Sequence, residues 1–430
     1  MSSTFKNAIL FDPSLRINVK GSIVTEGGKI LEVLKDKNAD SGKVFDLQGQ
    51  HLMAGFVDLH VHFREPGQEH KETIGTGTRA AAAGGFTTVC CMPNTNPVND
   101  SSFVTQYIME KVHQQGVVRV HPIGAVSKNL EGNAMAGIHG MIQAGCVALS
   151  DDGKCVMNAY LVRKTLEYLK SYGIPLIEHC EDEHLVGRGV MNEGLVSSQI
   201  GLRGIPHAAE DVIVSRDISL SEHTGGPLHL AHLSSKGAVE SIAHAKARGL
   251  KVTGEVTPHH LLLTDESLRT YDTSFKMAPP LRTEADRKAL VAALQSGVID
   301  CIATDHAPHS EEDKDVEFEC AANGIVGLET AFSTCYKLVE RGELTFERLV
   351  ESLTTSPARI FKFNDRGQLK AGMLADFAVV DLKREWKVDS SKFFSKSRNT
   401  PFNGWDLKSQ VTQTIVGGEE IFNIEKGICL

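Results

Sequence analysis

The chain has 430 residues, long enough for one large domain with a sizeable core and a smaller one beside it. Its formal charge of −9 argues against the basic footprint usual for a nucleic-acid binder, and no stretch approaches the ~18 apolar residues that mark a membrane span. The first residues show no basic segment followed by an apolar run, so no secretory signal is expected, and nine scattered cysteines without a C-x-x-C pair fit reduced thiols and a cytoplasmic location.

Residues 1–54 read as short strands and turns, with β-rich runs at 8–11, 21–24 and 29–34. Eight further runs follow, at 56–62, 86–92, 118–123, 146–151, 174–180, 227–233, 251–258 and 299–305. Many are almost continuously apolar, as expected for strands covered on both faces. Helix-like segments separate most of them. The clearest is 158–172, with Leu161, Thr165, Leu166 and Leu169 on one side, and it ends at Gly173, a residue suited to the left-handed position past a helix. Residues 364–430 return to strand character at 376–381 and 411–416.

The fold class expected is α/β: a (β/α)₈ TIM-like barrel over about 55–363, with a small composite β domain from residues 1–54 plus 364–430. On pattern alone a doubly wound open sheet stays open. The chemistry favours the barrel.

His60-Val61-His62 ends the first run. Residues i and i+2 share one face of a strand, so two imidazoles converge at the mouth of a barrel. By itself such a pair is more often two satisfied core histidines. It has company at four more strand ends: Asp151-Asp152, Glu178-His179-Cys180-Glu181, His232, and Asp305-His306-Ala307-Pro308-His309. Neutral imidazole and carboxylate are the usual ligands of catalytic zinc, and there are enough here for two ions. The chemistry would then be hydrolytic, with metal-activated water as nucleophile and a carboxylate moving its proton. Gly75-Thr-Gly-Thr-Arg-Ala lacks the third glycine of a dinucleotide loop and is expected to be a helical surface. Neither G-x-S-x-G nor a phosphate-binding G-x-x-x-x-G-K occurs.

The stretch Phe56-Val-Asp-Leu-His-Val-His-Phe-Arg-Glu-Pro-Gly resembles the class I dihydroorotases of the amidohydrolase superfamily, as do Cys91-Met-Pro-Asn-Thr-Asn-Pro, Thr304-Asp-His-Ala-Pro-His and Gly324-Ile-Val-Gly-Leu-Glu-Thr. The likeness covers nearly the whole chain. It implies a distorted barrel of the amidohydrolase type, a small β domain and a zinc centre. It also implies reversible hydrolysis of L-dihydroorotate to N-carbamoyl-L-aspartate in pyrimidine synthesis. It puts His60, His62 and Asp305 on one Zn²⁺, and His179 and His232 on a second. Many relatives place a carboxylated lysine between the two. This chain has no lysine there, and the likeness points to Asp152, in preference to Asp151, as the bridge.

The resemblance further implies that Arg64 and Asn94 hold the substrate carboxylate, a task a planar guanidinium suits. His309, Asn323 and Gly324 are implied as further substrate contacts, and Asp305 as the catalytic proton carrier. His259 and His260 read as supporting residues rather than ligands. Two positions depart from the family pattern. Ala278 stands where relatives often carry an asparagine, and Asn323-Gly324 where they often carry Phe-Gly. Ala278 keeps a second reading in play, the same chemistry on a hydantoin or allantoin. A third reading is a non-catalytic partner of aspartate transcarbamoylase. It predicts lost ligands, whereas every expected ligand is present. A homodimer is common in the family.

Overall fold

The structure is a computed structural model that describes residues 2–429. Eight short parallel strands stand where the apolar runs predict them: β1 (Phe56–Val61), β2 (Phe86–Cys91), β3 (Arg119–Pro122), β4 (Leu149–Ser150), β5 (Leu176–Glu178), β6 (Leu228–Leu230), β7 (Val252–Val256) and β8 (Cys301–Ile302). Neighbours pair in parallel from β1 to β3 and from β4 to β8. Single bridges complete the ring, Gly124 to Leu149 between β3 and β4 and Val61 to His306 between β8 and β1. A closed ring excludes the open-sheet alternative.

The paired strands are shorter than the apolar runs, which extend past the ladder at one or both ends. Three residues just past C-terminal strand ends have left-handed backbones without being glycine: Arg64 (φ 60°), His232 (φ 27°) and Asp305 (φ 47°). Such conformations cost energy and persist where the surroundings over-determine them.

The linking helices follow local rules. Helix Ala159–Tyr172 begins where the Asn158 side chain accepts from the amides of Tyr160 and Leu161, buries Leu161, Val162, Thr165, Leu166 and Leu169, and stops at Gly173 with φ 67°. Gly116 differs: it ends its helix in an extended conformation (φ −72°). The stretch from Gly75 does form a helix, Ile74–Ala83, but the expectation of a surface is wrong. Gly75, Gly77 and Thr78 are buried, and a Cβ at Gly77 would fall 2.5 Å from the Phe63 ring, so the glycine admits that ring beside the first strand.

Apolar side chains pack in two shells. Val57, Leu59, Cys90, Ile123, Ile177 and Cys301 pack together with Ala358 and Phe361, while a larger cluster including Phe56, Phe86, Leu166 and Leu290 contains residues of both strands and helices.

Both ends of the chain meet in one nine-stranded sheet. At its centre His51–Ala54 pairs in parallel with Ser2–Asp12 and antiparallel with Phe377–Lys387, register Phe377 to Ala54 and Val380 to His51. Phe5, Leu10, Ile23, Leu52, Phe377 and Ile415 form its core. Between Phe377–Lys387 and Asp406–Val416 the chain leaves this sheet, and residues 395–399 hydrogen-bond to segments next to the barrel mouth.

Candidate metal centre and active site

The C-terminal strand ends bring the predicted ligands together. The His60 Nε2 and His62 Nε2 atoms lie 3.3 and 3.4 Å from Asp152 Oδ2, and 3.5 and 3.0 Å from Asp305 Oδ1. On the other side, His232 Nε2 and His179 Nδ1 lie 3.4 and 3.7 Å from Asp152 Oδ1, and 2.9 Å from each other. The two oxygens of Asp152 thus face two adjoining nests of ligand atoms. Asp151 is turned away: its carboxylate accepts from the amides of Val126 (2.8 Å) and Ser127 (2.9 Å) and from the Ser127 hydroxyl.

All six of these ligand candidates are buried. His60 Nε2 and Asp152 Oδ1 are buried with no hydrogen-bond partner. Buried polar atoms ordinarily find partners. Two orphans aimed into a cluster of imidazoles and carboxylates fit divalent cations, and His60, His62 and Asp305 as well as His60, Asp152 and His232 present atoms within 4.8 Å of one another. Burial would raise both carboxyl pKa values; for Asp152 the neighbouring imidazoles of His60, His179 and His232, and for Asp305 those of His60 and His62, hold them below the ordinary range.

Three of the four histidines are braced by an acceptor outside the cluster. His60 Nδ1–H donates to Glu255 Oε1 at 2.7 Å, which leaves Nε2 free to face Asp152 and Asp305. Nε2–H of His179 donates to Glu181 Oε2 at 3.0 Å, freeing Nδ1. His62 Nδ1–H donates to Asn94 Oδ1 at 2.9 Å, so Asn94 orients a ligand besides facing the cavity. Asp58 of β1 accepts from the His60 amide (3.0 Å) and from the Thr304 amide (3.1 Å) and hydroxyl (2.6 Å), which ties β1 to the residue before Asp305. Burial pushes the Asp58 carboxyl up to about 7 against these bonds. Glu255, Asp58 and the Glu181 brace were not assigned from sequence; Asp58 and Glu181 each stand two residues from a candidate ligand, while Glu255 has no such signal.

A cavity of about 200 Å³ opens above the ligands. Every residue singled out for the site lines it except His60, which is fully buried. Arg64, 8% exposed, lines the same cavity, its Nε donating to Pro308 O at 3.1 Å. Burial lowers its pKa to about 10, so it keeps its charge at neutral pH. Arg64 Nη2 comes within 3.3 Å of His309 Nε2, which itself donates to Asn323 O at 2.8 Å. Burial and the Arg64 charge push His309 down to about 3, so it is neutral. Gly153 has φ 87°, and a Cβ there would stand 3.1 Å from Asn94 Nδ2, crowding that amide. Ala278 lines the cavity without a polar group. His260 bonds Thr257 Oγ1 (2.8 Å) and Pro279 O (3.0 Å), a supporting arrangement, while His259 is buried beside it. A larger cavity of about 530 Å³, lined by Phe332, Trp386 and Phe422, contains no histidine in its walls and lacks the means for this chemistry.

Known proteins match the chain along almost its full length. The family described as Dihydro-orotase-like matches residues 49–238, and the Amidohydrolase family matches residues 245–422. A curated dihydroorotase of Anaeromyxobacter dehalogenans is 52% identical over 420 residues, 97% of either chain. One from Geobacter metallireducens is 49% identical over 423 residues, 98% of this chain and 100% of the relative. Among solved structures, an L-hydantoinase (dihydropyrimidinase) from Arthrobacter aurescens superposes with a TM-score of 0.88 at 25% identity, covering 97% of this chain and 95% of that one. Among the described residues no helix is long and apolar enough to cross a membrane. With a closed barrel, buried nests of histidines and carboxylates at its mouth, and relatives about half identical from end to end, the chain belongs to the dihydroorotase family of cyclic amidohydrolases.

Proposed function

We propose that the chain interconverts L-dihydroorotate and N-carbamoyl-L-aspartate in pyrimidine biosynthesis, with two zinc ions in the paired nests. The observation that carries this reading is the position of Asp152, whose two oxygens face the His60, His62 and Asp305 group on one side and the His179 and His232 group on the other. Two divalent cations held there would supply Lewis acidity to the ring carbonyl and acidify water at neutral pH.

The protein's own residues do the rest. Arg64 and the free amide of Asn94 bind the substrate carboxylate, and His309, Asn323 and Gly324 close round the ring, which fixes the scissile amide over the ligands. Asp305 Oδ accepts the proton of the attacking water and returns it to the ring nitrogen as the C–N bond breaks. The reverse direction closes the ring of carbamoyl aspartate with loss of water. The catalytic unit is the barrel, residues 55–363, with residues 1–54 and 364–430 as the β domain. Nine free cysteines, most of them buried, support a reducing cytoplasm as its location. A homodimer, and an association with aspartate transcarbamoylase, are proposed from the family alone.

Ala278 favours a second reading, a hydantoin or allantoin as the ring opened, because it removes an amide from the cavity wall. The test is turnover of purified, zinc-loaded protein on dihydroorotate, hydantoin and allantoin, with metal counted per chain. Dihydroorotate turnover that vanishes with a chelator and returns with zinc supports the first reading. Bound zinc with turnover only of another ring replaces it with the second.

A further inference from the structure

Asn399 belongs to a stretch that the sequence pattern groups with the β domain, yet its side chain is 7% exposed between two loops of the active site. Its Nδ2 donates to Ala307 O and to Gly324 O, both at 3.0 Å. Its Oδ1 accepts from the His309 amide at 3.1 Å, and its main-chain oxygen accepts from Val326 N at 3.0 Å. One carboxamide thus holds the loop after β8 and the segment at 324–326 together.

We propose that Asn399 is a positioning residue for substrate binding: it fixes the two loops that present His309 and Gly324 to the ring. This rests on the substrate reading above. Three consecutive residues of the first loop are gripped from two sides, Ala307 O and His309 N by Asn399 and Pro308 O by Arg64. The loops leave little slack. A Cβ on Gly324 (φ 144°) would fall 2.7 Å from Ala307 Cβ, so a shift of one loop moves the other. Only a carboxamide offers two donors and one acceptor at this reach. A carboxylate would set an oxygen against two carbonyls, and an apolar side chain would leave three buried groups unpaired.

The segment does not depend on Asn399 for its own place. Ser397 Oγ donates to Lys71 O at 2.8 Å, Lys396 Nζ donates to Glu69 O at 2.7 Å, and Ser395 Oγ donates to Glu72. Removing the carboxamide therefore loosens the loops and leaves the backbone of the segment anchored.

The experiment compares zinc-loaded wild type with Asn399→Ala and Asn399→Asp. It measures kcat and KM for L-dihydroorotate, metal per chain and Tm. The expected result is a KM raised about 10-fold or more, kcat within about 3-fold and unchanged metal content. In a double-mutant cycle with His309→Ala, the two KM effects combine to less than their product, because one acts through the other. A KM unchanged beside an active wild type overturns the proposal, and so does parallel loss of kcat, metal and Tm. Should the alanine variant fail to fold, the aspartate variant, which keeps the volume and the acceptor to His309, decides by the same split. Absence of dihydroorotate turnover in the wild type rejects the substrate reading instead, before any variant is compared.

Discussion

Glu255 stands between two histidines: its Oε1 accepts from His60 Nδ1 at 2.7 Å and its Oε2 from His229 Nε2 at 3.0 Å. The carboxylate is 1% exposed. It sets the His60 tautomer and ring angle from below, while His229, braced in turn by Thr253 Oγ1 at 2.8 Å, keeps it in place.

Glu255→Ala should therefore weaken zinc at the nest holding His60 by about 10- to 100-fold, the usual effect of losing a carboxylate behind a ligating imidazole. Competition against a chelator of known affinity measures it. Affinity equal to wild type would show that packing alone orients His60.

Asp305→Asn keeps the volume of the side chain and one oxygen but not the proton acceptor. Turnover should fall by about 10²- to 10⁴-fold with the zinc content retained. Activity near wild type would remove Asp305 from its role as proton carrier.

Arg64→Lys swaps a fork for a point charge and loses the bond from Nε to Pro308 O. KM for dihydroorotate should rise by at least about 10-fold, with a smaller change in kcat, as steady-state kinetics will read. Equal losses in kcat alone would place Arg64 in the transition state only.

His260 has a pH signature apart from the ligands. Burial lowers its pKa from 6.5 to about 3. The folded state then binds fewer protons than the unfolded state between those values. Its contribution to stability is present above pH ~6.5 and is lost as pH falls towards ~3. His260→Gln, which cannot titrate, should lower Tm at pH 7 through lost hydrogen bonds yet show a shallower fall of Tm from pH 6.5 to 4. Parallel Tm profiles would contradict this assignment.

The eight strands and the cluster of histidines and carboxylates at their ends are legible in the sequence because both are local. An apolar run of six to eight residues marks a barrel strand, and a histidine or aspartate next to its C-terminal end is placed near the mouth. The braces are not legible in this way. His60 and Glu255 are 195 residues apart, and Asn399 and His309 are 90 apart, so no spacing rule joins them. Asn399 also sits among residues with strand-like and turn-like character, which hides its reach into the barrel. The burial of Gly75 and Gly77 was missed for a related reason: a glycine-rich helix looks exposed by composition, and only the approach of Phe63 shows why small residues are needed.

The pairing of His51–Ala54 with Phe377–Val380 also bears on how the chain is made. The first of these strands emerges from the ribosome roughly 320 residues before its partner. At about 5–20 residues per second, that interval lasts on the order of 15–60 s. For that time the hydrophobic side of Ser2–Asp12 and His51–Ala54 lacks its C-terminal cover of Phe377 and Ile415, while the barrel between them is still being synthesised. Closure of the terminal sheet therefore comes only after the whole barrel has been synthesised.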